Sequence, residues 1–253
     1  MRHNPALAKV RSGKPCFGPI LVYSCPDAAE QVAHLGFDWV WLDWQHGQFT
    51  EPTLHNALAR FQAVNSAPIV RVKGNEPGTI NRVLDMGAMG IVVPMIQNAE
   101  EAKAAVEAAY YPPIGRRSAG GIRLGLLDES EPAYWANAND EIMLIVMVET
   151  EEAIGNVRDI MQVPGIDVVL IGPGDLMIDV TTRGHGEDHH ERLVQDVVKA
   201  SLETGTAAGY VCLSEDAVKQ RVAEGFRFIH YGFDHMMLMR VMNEHKALFQ
   251  SFE

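Results

Sequence analysis

Four segments of the chain place polar residues directly after an apolar run: Asp43-Trp44-Gln45-His46-Gly47, Arg71-Val72-Lys73, Glu149-Thr150 and Gly172-Pro173-Gly174-Asp175. Glu149 and Asp175 are each the first carboxylate after a long apolar stretch. Two ionised carboxylates brought together repel unless a cation lies between them, and oxygen-only ligation with open positions suits Mg2+ or Mn2+ better than structural zinc. The same spacing is equally compatible with Glu149 capping the next helix and Asp175 capping a turn. The planar fork of Arg71 would hold a ligand carboxylate through two parallel hydrogen bonds, or else form a structural ion pair with Asp43 or Glu149. His46, three residues after Asp43, is suited to moving a proton near neutral pH if that carboxylate orients its ring; otherwise it is a hydrogen-bonded surface residue.

Other residues carry less chemistry. His185, His189 and His190 resemble a metal-binding tract, but the polar Gly184 to His190 stretch favours solvation. Lys73 shares the parity of Arg71 and reads as a solvated loop charge. The three cysteines, Cys16, Cys25 and Cys212, have no C-x-x-C spacing, which indicates neither a disulfide framework nor a zinc cluster and fits a reducing cytoplasm. Cys212 and Met236, Met237, Met239 and Met242 read as core or helix-packing residues.

The elements that must bring these groups together repeat along the chain. Short β-rich runs occur at Phe17 to Tyr23, Trp39 to Trp44, Pro68 to Val72, Gly90 to Ile96, Ile142 to Glu149, Asp167 to Gly172, Ala207 to Cys212 and Phe226 to Gly232. Between and after them, helical spacing covers Asp27 to Leu35, Glu51 to Val64, Pro77 to Met86, Ala99 to Ala109, Glu151 to Met161, Glu191 to Thr204, Ser214 to Glu224 and His235 to Phe252. Ser214 is a plausible N-cap, while Gly205 and Gly225 stand where left-handed C-terminal glycines belong. The strands are continuous apolar runs, as burial on both faces of a parallel sheet requires. Eight such units predict an α/β fold, a (β/α)8 TIM barrel whose active site lies at the carboxyl ends of the strands. An open doubly wound sheet is the alternative, but the chain lacks the Gly-rich phosphate turn that usually follows its first strand. With 253 residues, one barrel domain spanning 1–253 is expected. The Pro112 to Asn139 connection is long enough to be a lid or binding loop.

Composition narrows the partners. Lys+Arg 21 against Asp+Glu 33 gives a net charge of −12, a field that repels nucleic acid and anionic lipid. A small acidic substrate then needs a local cation, Arg71 or a metal. No apolar run approaches the roughly 20 residues of a membrane helix, and Met1 to Val10 lacks a secretory core. A soluble, cytoplasmic protein is expected.

At these residues the chain resembles the HpcH/HpaI family of class II oxo-acid aldolases. The resemblance is carried by Gly36-Phe-Asp-Trp-Val-Trp-Leu-Asp-Trp-Gln-His46, Pro68-Ile-Val-Arg71, Leu84-Asp-Met-Gly-Ala88 through Pro94, Tyr111-Pro-Pro-Ile-Gly115 through Arg117, Glu149 and Ile171-Gly-Pro-Gly-Asp-Leu176. It implies a lyase, dependent on a divalent Mg2+, Mn2+ or Co2+, that cleaves a 4-hydroxy-2-oxo acid into pyruvate or a hydroxypyruvate-like oxo acid and an aldehyde. It further implies Glu149 and Asp175 as metal ligands, Arg71 on the oxo-acid carboxylate and enolate, and His46 paired with Asp43 as the proton-transfer group. Gly172, Pro173, Gly174 and Trp44 are expected beside the substrate. A homohexamer assembled from dimers is implied too, and His235 to Phe252 is long and apolar enough to exchange between subunits. The chain departs from the family pattern at Trp44-Gln45, where Gly-Glu is usual, at Met147 in place of Gln, and at Met177 in place of Ser. Trp44 is expected to narrow the mouth and Met147 to remove a polar neighbour of the metal shell.

Three other readings share the scaffold. An oxaloacetate decarboxylase or an acyl-CoA lyase would use the same enolate chemistry, although no basic segment suited to the CoA diphosphate stands out. A non-catalytic oxo-acid binding protein is the third. A Schiff-base aldolase needs a lysine inside the barrel, and Asp167 to Gly172 contains none.

Overall fold

Strands that are apolar on both faces need cover on both sides, and a sheet closed on itself with helices outside supplies it. In the computed structural model, which describes residues 1–252, β1 (Cys16–Leu21), β2 (Trp39–Asp43), β3 (Ala67–Arg71), β4 (Gly90–Val93), β5 (Met143–Val148), β6 (Val168–Ile171), β7 (Ala207–Cys212) and β8 (Phe228–Phe233) form a closed parallel barrel in chain order. β8 pairs back onto β1, with a register shift between Gly18 and Ile20. The chain therefore folds as a (β/α)8 TIM barrel.

The helices are α1 (Pro5–Arg11), α2 (Pro26–His34), α3 (Glu51–Arg60), α4 (Pro77–Asp85), α5 (Ala99–Ala109), α6 (Leu124–Leu127), α7 (Glu131–Glu141), α8 (Glu151–Gly155), α9 (Val157–Met161), α10 (Pro173–Thr182), α11 (Glu187–Thr204), α12 (Glu215–Glu224) and α13 (Asp234–Gln250). Ser214 caps α12 by accepting the Ala217 amide at 3.1 Å, and Gly205 and Gly225 end α11 and α12 at φ 83° and 115°. None of the helices among the described residues is long and apolar enough to cross a membrane.

Two cores follow from the period-two alternation of strand side chains. Trp39, Trp41, Ile69, Met143, Ile145, Met147, Leu170 and Phe228 share the inner cluster. Trp39 stacks on Phe228 with ring centroids 4.4 Å apart, and Gly18 is required beside them because a Cβ there would lie 2.5 Å from the Trp39 ring. Val40, Leu42, Val70, Ile91 and Leu144 face outward against the helices.

Several elements differ from the sequence expectation. The helix α1 places Ala6, Leu7 and Val10 in the inner cluster, and the Asn4 side-chain amide donates to the Met89 and Glu141 carbonyls, so α1 closes the end of the barrel where the strands begin. The long connection after Pro112 contains two helices, α6 and α7, and Ser130 caps α7 by accepting the Ala133 amide. Residues 173–182 form a helix, and α11 starts at Glu187, which places His189 and His190 within it. Met236, Met237, Met239 and Met242, expected to pack, are exposed; α13 buries none of its residues within the chain.

Candidate active site

Strand register brings the first pair of polar groups together. Asp43 ends β2 directly opposite Arg71 at the end of β3, on the inward parity set by Trp39, Trp41, Ala67 and Ile69. Arg71 donates from Nε to Asp43 Oδ1 at 2.9 Å and from Nη2 to Oδ2 at 2.5 Å, a bidentate pair on a carboxylate that is 1% exposed. Asp43 Oδ1 also accepts the backbone amides of Gln45 and His46 at 3.1 and 3.3 Å. With its oxygens committed in this way, Asp43 orients Arg71, and in place of the expected hydrogen bond from the His46 ring it accepts one from the His46 backbone amide. The imidazole is exposed and makes no hydrogen bond among the described residues. Arg71 Nη1 likewise has no partner among them, which leaves one edge of the guanidinium free.

Glu149 follows β5 on the same inward parity as Met143, Ile145 and Met147 and is 2% exposed. It does not cap the next helix; Thr150 does, accepting the Ala153 amide at 3.1 Å. Glu149 Oε1 instead accepts the Met95 amide at 3.0 Å. Met95 reaches that position at φ 58°, the left-handed region that a non-glycine residue occupies only where its surroundings enforce it. On the other side, Gly172 leaves room for the acid: a Cβ there would fall 2.8 Å from Glu149 Cδ.

Burial is the main reason the Glu149 carboxyl is pushed up to about 7. The Met95 amide opposes the rise, the Asp175 charge adds to it, and the Arg71 charge opposes it. Asp175 is exposed in the first turn of α10, whose N-terminus is formed by Gly172 and Pro173. A buried acid that holds one backbone amide and lies beside a second acid is an oxygen set that a divalent cation would neutralise. The donors fit a hard ion rather than a thiolate-bound one.

The structure moves two expectations. Trp44 has outward parity, is 8% exposed and joins the outer core, so it does not line the mouth; the Lys73 ammonium, itself exposed, stands 4.5 Å from its ring centroid. Met147 lies on the inner face two residues before Glu149, while Met177 is half-buried on α10. The histidines expected to be solvated divide: His190 is buried, and His189 bonds Glu151.

Sequence reasoning passed over two groups. Met95 carries no signal by residue type, since its role is a backbone amide. His230, a lone histidine in an apolar strand, is buried with Nδ1 3.4 Å from the Gly18 carbonyl, and burial above all holds it down to about 3, with the Arg71 charge contributing. A neutral ring donating from Nδ1 leaves Nε2 as a buried acceptor without a partner.

A family model described as HpcH/HpaI aldolase/citrate lyase matches residues 21–240. The chain belongs to this family. It is 38% identical over 236 residues to a 4-hydroxy-2-oxovalerate aldolase of Novosphingobium aromaticivorans, covering 91% of this chain and 88% of the relative. With a 4-hydroxy-2-oxo-heptane-1,7-dioate aldolase of Escherichia coli it shares 33% identity, covering 97% and 95%. The crystal structure of a family protein from Burkholderia cenocepacia J2315 superposes with a TM-score of 0.89 at 28% identity, over 99% of this chain and 100% of that one. The barrel is thus shared with that structure, and the chemistry of this chain has to be argued from its own strand-end residues.

Proposed function

We propose that the chain is a class II aldolase, an aldehyde-lyase that reversibly cleaves 4-hydroxy-2-oxo acids to pyruvate, or a similar oxo acid, and an aldehyde. The observation that carries this reading is the buried Glu149 with Asp175 beside it, facing the Arg71–Asp43 pair across the barrel mouth. Glu149 and Asp175 would hold a divalent ion, Mg2+, Mn2+ or Co2+. Bound there, it supplies Lewis acidity toward the oxygens of a 2-oxo acid. Asp43 fixes the Arg71 fork, whose free edge takes the substrate carboxylate and shares the negative charge that grows as the C3–C4 bond breaks. The turn Gly172-Pro173-Gly174 at the start of α10 presents a helix N-terminus to the same anion. His46 accepts the C4 hydroxyl proton, directly or through a water, and its exposed ring is free to follow the substrate. None of the barrel strands carries a lysine, which supports this route over a Schiff base.

The exposed apolar residues of α13, including Met236, Leu238, Val241, Leu248 and Phe249, support assembly of a homo-oligomer through that helix, as a hexamer built from dimers. The unpaired Cys16, Cys25 and Cys212 support a cytoplasmic location. The test of function is NMR of pyruvate in D2O with metal-loaded protein, followed by a panel of aldehyde acceptors. Exchange of the methyl protons together with adduct formation is expected. Pyruvate binding without either would assign the chain to oxo-acid binding alone, and release of CO2 from oxaloacetate without aldol turnover would assign it to decarboxylation.

A further inference from the structure

Away from the barrel interior, the fold gathers a second set of metal-binding side chains. Glu151 opens α8, His185 lies in the turn between α10 and α11, and His189 stands in the first turn of α11. Their ligand atoms all lie within 4.8 Å of one another. His189 Nε2 is 2.9 Å from Glu151 Oε1, and the two imidazole rings have centroids 4.3 Å apart. Glu151 Oε2 is buried without a hydrogen-bond partner; the nearest cation, Arg183 Nε, stands off at 3.8 Å.

We propose that Glu151, His185 and His189 form a second metal site, a set of two imidazoles and one carboxylate for a borderline ion such as Zn2+, Ni2+ or Cu2+. Imidazole donors select such ions over Mg2+, which separates this site from the oxygen-only pair of Glu149 and Asp175. Donors around tetrahedral zinc sit about 3.3 Å apart, so the set must draw in by at most about 1.5 Å. His185 can supply that movement, being exposed and preceded by Gly184 at φ 82°.

Arg192 holds the metal-free arrangement. Its Nη2 lies 3.3 Å from His189 Nδ1. A guanidinium only donates, so Nδ1 accepts and the ring proton sits on Nε2, aimed at Glu151. Metal at Nε2 requires that proton to pass to Nδ1 through solvent, and Arg192, exposed on the helix, must then swing away. Cation and Arg192 therefore compete for one ring, and removing Arg192 strengthens metal binding about fivefold.

The test uses tag-free, chelator-stripped protein titrated with Zn2+ and, separately, examined by EPR with Cu2+. Two zinc equivalents per chain are expected for the parent and one for His185→Ala/His189→Ala, with Mg2+-supported cleavage retained by that variant. The Cu2+ spectrum should show coupling to two nitrogens that the double variant loses and Asp175→Asn keeps. Glu151→Gln should lose the same zinc equivalent with an unchanged circular dichroism spectrum, and Arg192→Ala should bind more tightly. Equal zinc stoichiometry in parent and double variant, or nitrogen coupling that disappears in Asp175→Asn instead, would overturn the assignment.

Discussion

Replacing Glu149 by Gln keeps an acceptor for the Met95 amide and removes the one charge that the barrel mouth buries at a cost. Folding raises this carboxyl from an ordinary 4.5 to about 7, chiefly through burial. A group whose pKa rises on folding contributes stability that is complete below its unfolded value and is lost as pH climbs through its folded value. In metal-free protein that loss therefore runs from pH 4.5 to above 7, and its full size is about 3 kcal/mol at 1.36 kcal/mol per pH unit. For a chain of this length it corresponds to about 6 °C in Tm. Differential scanning calorimetry of chelator-stripped protein should find Glu149→Gln melting about 6 °C above the parent at pH 8, with the two converging near pH 4.5. Adding Mn2+ at pH 8 should reverse the order, because only the parent gains an ion between its acids. Equal melting of the stripped proteins at pH 8 would refute the argument that burial holds this acid in readiness for a cation.

Three further outcomes follow from the same geometry. Arg71→Lys cannot reproduce the two parallel bonds to Asp43 and leaves a 1%-exposed carboxylate under-paired; it should cost about 2 kcal/mol in denaturant unfolding and slow cleavage about 100-fold in a coupled pyruvate assay. His46→Ala touches an exposed ring without a hydrogen bond, so its unfolding free energy should stay within about 0.5 kcal/mol of the parent while kcat falls at least about 100-fold. Trp44→Ala, in the outer core, should lose about 3 kcal/mol of stability and leave KM for pyruvate unchanged; a shifted KM would return Trp44 to the mouth.

Much of this architecture was readable from residue order because the barrel obeys short-range rules. Continuous apolar runs required a parallel sheet, and the barrel rule put Asp43, Arg71 and Glu149 at the carboxyl ends of their strands; the structure adds that all three lie on the inner face. Period-two parity, applied to Trp44, points its ring outward, but the tie between that position and the proton-transfer segment drew it toward the mouth. What sequence could not show depends on contacts between distant segments. The Arg71–Asp43 ion pair was one of two readings open for Arg71, but its consequence, that Asp43 is taken from the nearby His46 ring by a two-pronged pair 28 residues away, was not. Met95 acts through a backbone amide in a left-handed conformation that no residue-type signal announces. The Glu151–His189 contact joins residues 38 apart across two helix starts, so a stretch that looked solvated is partly fastened down. α13 was legible as a helix, but the expectation that its methionines pack fails because the chain's own core buries none of its residues.

The central claim is that cleavage needs a divalent ion between Glu149 and Asp175 and no covalent lysine. It is tested most directly by pyruvate release from a 4-hydroxy-2-oxo acid before chelation, after chelation and after restoring Mg2+, Mn2+ or Co2+, with a parallel series pretreated with pyruvate and borohydride and freed of both before the assay. Activity should vanish on stripping, return with metal and survive the borohydride pretreatment. Full turnover by the stripped protein, or inactivation by borohydride in the presence of pyruvate, would contradict it.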